Sequence, residues 1–438
     1  FGRFQFNRTS KNVTLGFKTE YFNELLLNRG RPLAPYGETA FDERFHTNRL
    51  DAKFSVNWKI NQISRFNAFV AGNVYDRRRL KYFRNLVDLT EEPINRDGAS
   101  DTTGFTAWMS RGTYSRTPIR NRLSYEVGYD VNIERGSGLR IKSGSQQITD
   151  VAIFSTAEYE INSKLQIKPG VRIAHNTAFR APVVPMVSMR YKRNKYTYRL
   201  SYSQGFRAPD IKELYIEFVD VNHNVIGNTD LMPEHSKHVL LSIDGKRTWK
   251  KWLISPSLTA YYNDIKDKIT LAATQQNIYS YVNISEFRST GTNIRLNGAW
   301  KKINCSLGYG LTGIRSDVGD EEPVFRAYHE VNGSYRQDFG FIQLNVFAKY
   351  NGRQNIYTID AANAEVTQRF TGDYTLLDLQ LSKQFLHDHF QVNAGVKNLL
   401  NVGNVNNVLQ SSGAHGSDAG YLAVGTGRNP FIKVVWTL

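Results

Sequence analysis

The sequence predicts an all-β chain wound as a transmembrane antiparallel β-barrel, on three observations. Apolar and polar residues alternate along segments of about ten residues or more, longer than the usual strand of about 5–6. Apolar residues are spread evenly through all 438 positions, and no run approaches the roughly 18–20 that a membrane helix needs. Short polar turns alternate with longer irregular connections, as in bacterial barrels with short periplasmic turns and long external loops. A soluble sandwich would bury the apolar face of such strands. A membrane barrel turns it to lipid and fills the inside with polar groups and water.

In chain order, Phe1–Arg8 already alternates and leads into a polar turn at 9–12. In 121–133, Leu123, Tyr125, Val127, Tyr129, Val131 and Ile133 share one face, with Arg122, Ser124, Glu126, Asp130 and Asn132 on the other. In 149–161, Val151, Ile153, Ala157, Tyr159 and Ile161 oppose Asp150, Thr156, Glu158 and Glu160. The same pattern sets Leu165, Ile167, Val171 and Ile173 against Gln166, Lys168 and Arg172, and Phe390, Val392, Ala394 and Val396 against Gln391, Asn393 and Lys397. Short turns are expected at 9–12, 60–64, 116–121, 161–164, 193–195, 300–302, 337–339 and 386–389. Long segments are expected at 22–47, 80–103, 134–147, 207–235, 313–325, 351–370 and 400–428. The pattern yields about nineteen strands, the last at 430–438. An odd number cannot close an even-stranded bacterial barrel, so further strands are expected upstream. The whole of 1–438 reads as one barrel domain.

Composition narrows the function. Tyr 24, Phe 25 and Trp 6 suit aromatic girdles at the two membrane interfaces. A net charge of +16 brings nucleic acid to mind, but the Lys and Arg are dispersed and form no recognition module, so no nucleic acid is expected. In a barrel the same balance suits lipopolysaccharide phosphates or an anionic cargo. The single cysteine, Cys305, lies in phase with the apolar residues of 303–309 and reads as a small lipid-facing side chain. No Ser-His-Asp, paired-carboxylate or metal constellation is placed for catalysis, so no enzyme is expected.

Two boxes carry a resemblance. The stretch Arg199 to Pro209, with Phe206-Arg207-Ala208-Pro209 at its end, is followed by Gly227-Asn228-Thr229-Asp230-Leu231-Met232-Pro233-Glu234. Together they resemble the paired boxes of TonB-dependent outer-membrane transporters, with Thr229 and Met232 standing where that family carries Pro and Lys. Asn393 to Asn401 resembles the family's penultimate strand, and Gly427-Arg428 before the final strand also fits. The wording around Glu213-Leu214-Tyr215 and Asp220 to Asn224 looks most like Bacteroidetes members. The resemblance implies a barrel of about 22 strands, an N-terminal plug and a TonB box. The plug and the first strands are absent from this chain on that reading. Implied partners are the TonB-ExbB-ExbD energy-coupling complex, lipopolysaccharide and a surface lipoprotein that helps capture cargo. The implied site is the outer membrane of a Gram-negative bacterium.

The same family imports haem, cobalamin or ferric siderophores, with no permanent cofactor. Haem or cobalamin leads; a ferric siderophore is the alternative, and a passive porin-type channel stands behind both. Haem receptors of the family carry a histidine between the boxes, where this chain has His223. His223 is therefore a candidate haem axial ligand or else a solvated loop histidine. His415, in a glycine-rich loop, is a second candidate with the same alternative. Arg207 can pair with Asp210, Glu213 or Asp230 to hold the rim, or touch cargo directly. Pro209 and Pro233 are expected to end ladders at the rim. Tyr36, Phe41, Phe45, Tyr215 and Phe218 are loop aromatics able to stack on a flat macrocycle. Arg77, Arg78, Arg79, Lys81 and Arg84 form a positive strand end that reads first as a contact for lipopolysaccharide phosphates or a solvated end, with haem propionates or a ferric catecholate as the alternative. His387-Asp388-His389 resembles a metal bite but falls in a periplasmic turn and reads as solvated.

Overall fold

The computed structural model describes residues 1–94, 100–117, 122–219, 224–275, 278–316, 326–359, 366–385, 389–406, 421–423 and 425–436. One sheet of 23 strands dominates the described residues. Four of these are short pieces, Glu91–Pro93, Glu217–Val219, Asn224–Ile226 and Arg247–Trp249. The other nineteen form the wall. They begin with β1 Gly2–Thr9, β2 Val13–Asn28, β3 Thr39–Lys59, β4 Ser64–Asn85, β5 Asp101–Arg116 and β6 Leu123–Gly138. The wall continues with β7 Ser145–Glu160, β8 Leu165–Asn176, β9 Val184–Arg193, β10 Tyr196–Arg207, β11 Glu234–Gly245 and β12 Trp252–Gln275. It ends with β13 Ile278–Trp300, β14 Ile303–Ser316, β15 Arg326–Asp338, β16 Gln343–Asn351, β17 Tyr374–Phe385, β18 Phe390–Lys397 and β19 Asn429–Trp436.

Each wall strand pairs antiparallel with its sequence neighbours, from β1 with β2 through to β18 with β19. Among the described pairings β1 and β19 are not joined. Antiparallel succession alternates the connections between two ends, and all but the β12–β13 connection at one of them are longer. The short end holds 10–12, 60–63, 161–164, 194–195, 301–302 and 339–342, as the alternation implies. Asn194, Lys250 and Lys301 turn there through left-handed backbone, φ 54°, 54° and 47°.

Alternation sorts the side chains as the sequence implies. Leu50, Phe54 and Trp58 on β3 and Val70 and Val74 on β4 stand exposed on the outer face. On the inner face Asp51 accepts a hydrogen bond from Asn73 at 2.6 Å, and Asp130 pairs with Arg172 at 3.1 Å across the small, buried Ala152. Five of the six tryptophans, Trp58, Trp249, Trp252, Trp300 and Trp436, sit at the short-turn end. Trp252 packs on Trp300 and Phe390 on Trp436, with centroids 5.7 and 5.9 Å apart. That girdle marks where an apolar wall meets a polar interface. Cys305 shares the outer face with Leu307 and Tyr309, in register with Gly298.

The loop boundaries differ from expectation. The irregular part of 22–47 shrinks to 29–38, because β2 and β3 continue as paired strands well past their apolar band. The same holds at 80–103 and 134–147. Outside lipid a strand has no reason to keep an apolar face, so alternation fades before the ladder does. The hairpin of β12 and β13, 24 and 23 residues long, is the extreme case and goes unmarked among the expected connections. No helix of the described residues is long and apolar enough to cross a membrane.

Candidate functional site

At the long-loop end residues 208–219 and 224–233 between β10 and β11 fold into an ordered lobe, where the sequence alone suggests an irregular loop. Its first element is a short helix, α1 Ile211–Tyr215. Asp210 caps it: its carboxylate accepts from the Glu213 N–H at 2.8 Å, while the Glu213 carboxylate accepts from the Asp210 N–H at 2.8 Å. This reciprocal capping box satisfies two donors that a helix start leaves open. Pro209, which has no N–H to place in a ladder, is fully buried just after β10 ends.

Arg207 is the lobe's anchor. Its guanidinium donates to both oxygens of Glu213, at 3.0 and 2.9 Å, and to Glu234 on β11 at 2.7 Å. Glu213 is thus the expected partner, but Asp210 and Asp230 are not. Asp210 is occupied as the helix cap, and Asp230 sits in a turn where its N–H donates to the Asn228 side chain at 2.9 Å. Glu234 takes the second place because register sets it directly opposite Arg207. Its carboxylate also accepts from the Ile269 N–H at 2.8 Å, tying the knot to β12.

The second box is built into the same lobe. Asn228 donates from its amide to the Tyr281 carbonyl on β13 at 2.9 Å, and its N–H donates to Glu213 O at 2.9 Å. A Cβ on Gly227 would lie 2.7 Å from the backbone of Leu214 and Tyr215, so only glycine fits there. Leu231, Ile211 and Leu214 pack with Ile141, Ile148 and Ile269 in a buried cluster. Tyr215 packs against this cluster, and its carbonyl accepts from Lys142 N–H at 2.8 Å, so it is a scaffold residue rather than a free loop aromatic. Phe206, on the outer face, stacks on His235 with centroids 5.5 Å apart, and Ala208 passes the chain into the lobe.

The long ends of β3 and β4 form a second feature. Register is unbroken from Thr39–Asn85 to Lys59–Arg65, so the parity that puts Asp51 and Asn73 inside also puts Phe41, Phe45, Arg77, Arg79, Lys81 and Phe83 there. Arg77 lies over Phe45 at 4.6 Å, Lys81 over Phe41 at 5.2 Å, and Phe41 meets Phe83 at 5.6 Å. Arg78 and Arg84 go to the outer face; Arg84 pairs with the buried Asp42 at 3.1 Å. The five cations of the run are therefore divided three and two between the faces.

The two features meet. Arg79 lies 3.7 Å from Asp101, which Arg140 holds at 2.5 Å, and Arg140 stacks over Phe218 of the lobe at 4.0 Å. Phe218 is thus covered by a cation rather than open. Lys212 of α1 lies over Phe105 on β5 at 5.3 Å. A continuous inner surface of cations on aromatic faces thereby runs from the β3–β4 arm to the box lobe. At the arm's tip Asp88 accepts from the N–H and hydroxyl of Thr90, at 2.9 and 2.7 Å, which holds its carboxyl below the usual range.

His223, His415, His387 and Asp388 lie outside the described residues. Tyr36 is 83% exposed in the 29–38 loop and joins neither feature. No group of three or more metal-ligating side chains occurs among the described residues. Arg140, Asp101, Phe83, Phe105 and Lys212 are the members of the surface that sequence reasoning missed. The β3–β4 and β4–β5 registers, once known, bring Phe83 and Asp101 in.

The family described as "TonB dependent receptor-like, beta-barrel" matches residues 1–399. An iron-regulated outer membrane virulence protein of Vibrio cholerae is 32% identical over 133 residues, 30% of this chain and 20% of that protein. A vitamin B12 transporter of Photobacterium profundum is 25% identical over 284 residues, 61% of this chain and 43% of that one. The matches thus span less than half the length of either curated relative. The solved ferric enterobactin receptor of Pseudomonas aeruginosa superimposes with a TM-score of 0.61 over 99% of this chain and 77% of its own, at 12% identity, a likeness of fold.

Proposed function

This chain belongs to the TonB-dependent receptor-like β-barrel family, and from that premise we propose that it forms the wall of an outer-membrane importer for a scarce metal chelate. One observation carries the cargo reading: Arg77 and Lys81 share the inner face with Phe41 and Phe45, each cation resting on a ring. Such a surface favours a ligand that is both anionic and flat, since charge and ring stacking are met together. Haem with its propionates fits, and so does a ferric catecholate siderophore. Cobalamin, with no net anionic edge to offer, fits this surface less well. His223 and His415 remain proposed axial ligands for haem, and transported haem is cargo, not a resident cofactor.

Family membership further supports coupling through TonB, with ExbB and ExbD as the energising partners. Lipopolysaccharide around the barrel, a surface lipoprotein and a Bacteroidetes-type host belong to the same proposal. Melting of the purified protein with haem, a ferric catecholate and cobalamin in turn tests the cargo class. A rise in Tm with haem or the catecholate is expected. A rise with cobalamin alone would overturn the anionic-aromatic reading, and a steady open-pore conductance from the full-length protein would overturn active import.

A further inference from the structure

The short-turn end carries a feature that neither the cargo surface nor the lobe uses, an arc of cations on three successive turns. The β9–β10 turn holds Lys192, Arg193 and Lys195, and the β13–β14 turn holds Lys301 and Lys302. Between them the β11–β12 connection, 246–251, holds Lys246, Arg247, Lys250 and Lys251. All nine residues are exposed. Lys302 pairs with Asp338 at 3.2 Å, and the other eight form no ion pair among the described residues. The turns are held edge to edge: Lys246 N–H donates to Lys195 O at 3.1 Å, and Trp252 beside one turn packs on Trp300 beside the next. From β9 to β14, with strands about 4.8 Å apart, the arc runs roughly 24 Å along the rim.

Two of the ammonium groups rest on indoles, Lys250 over Trp249 at 5.3 Å and Lys301 over Trp300 at 5.8 Å. Trp249 is 56% exposed and belongs to the connection itself rather than to a wall strand. The flanking turns are poorer in charge: 161–164 sets Lys164 beside Glu160, and 339–342 has Asp338 next to it and no cation. Lipid headgroups surround a barrel on every side, so they account for an even ring of cations and not for an arc on one side. One extended polyanion accounts for it. Exposed ion pairs are individually weak, so such a partner must engage several cations at once. An acidic peptide would use the cations and leave Trp249 idle. A carboxylate-bearing glycan uses both, with the C–H face of a sugar ring on the indole and a carboxylate on the neighbouring ammonium.

We propose that this arc docks a carboxylate-bearing glycan lying beneath the membrane, its carboxylates on the cations of 246–251 and a sugar ring on Trp249. The inference rests on the membrane reading of the barrel, which places the short turns on the periplasmic side. Co-sedimentation of the purified full-length protein with peptidoglycan sacculi tests it, with amidated sacculi and a polyglutamate peptide as further probes. Native sacculi should retain about tenfold more protein than sacculi whose carboxylates have been amidated. Lys246→Gln, Arg247→Gln, Lys250→Gln and Lys251→Gln together should remove about that factor. Trp249→Ala should weaken retention about threefold, whereas Lys11→Gln with Lys59→Gln, on other turns of the same end, should leave it unchanged. Equal retention by native and amidated sacculi overturns the proposal, as does equal loss in the paired Lys11 and Lys59 variant. Full competition by polyglutamate, with Trp249→Ala silent, overturns it in favour of an acidic protein. The side of the membrane is checked in parallel, with an epitope placed in the 60–63 turn of the protein in cells. Antibody that reaches it before the outer membrane is opened refutes the membrane reading, whereas an epitope hidden until then, without preference for native sacculi, refutes this site alone.

Discussion

The box lobe and the β3–β4 arm face the same inner space but are built on different physics. The lobe is closed. Its helix is capped, its anchor arginine bridges two carboxylates, and its apolar side chains are buried. The arm is open: a regular ladder whose inner side chains point into space, with each cation resting on a ring. The residues that announce the family by their wording therefore hold the rim together, and the residues proposed to meet cargo carry no motif at all. Scaffold needs particular residues at particular backbone positions, which leaves a recognisable string. A binding face on a strand needs only charge and ring at alternate positions.

The sharpest way to break this contrast is Leu214→Ala. It opens a cavity in the buried cluster and should cost the lobe about 3 kcal/mol, read as faster amide exchange across 208–232 with the β3–β4 ladder unchanged. Arg207→Ala comes next. It leaves Glu213 and Glu234 without their common partner, but the side chain is 43% exposed, so screening reduces the loss to about 1.5 kcal/mol. Arg207→Lys should recover only part of it, since one ammonium cannot reproduce the forked contact. Arg77→Ala with Lys81→Ala should do the reverse: cargo affinity falls about tenfold, near 1.4 kcal/mol, with lobe exchange untouched. The smallest effect is expected from Asp210→Ala, about 1 kcal/mol for a lost helix cap, seen as fraying of α1 alone. A cargo defect from Asp210→Ala equal to that of the arm variants would erase the distinction between scaffold and binding face.

Legibility in the sequence followed the same divide. Alternation marked Leu123 to Ile133 and Phe390 to Lys397 as strands because lipid on one side and water on the other enforce a period of two. It failed at Asn28, Asn85 and the tall β12–β13 hairpin, where both faces are wet and only the backbone ladder persists. The Arg207–Glu213 pair was foreseeable from spacing within one segment. The Glu234 contact depended on register, and the Arg79–Asp101–Arg140 chain joins two strands and the β6–β7 connection, which no local pattern relates.

Neighbour-to-neighbour pairing along the wall has a kinetic consequence. Because every wall strand finds its partner one connection away, most of the sheet's closure cost is paid over short stretches of chain. The wall can therefore be laid down hairpin by hairpin in the order of synthesis, with two growing edges needing protection at any moment. The exception is the lobe, whose knot joins residues on β10, α1, β11 and β12 and completes only when Ile269 arrives to donate to Glu234. Assembly should thus show a rapid, sequential ladder phase and a later locking step at the rim.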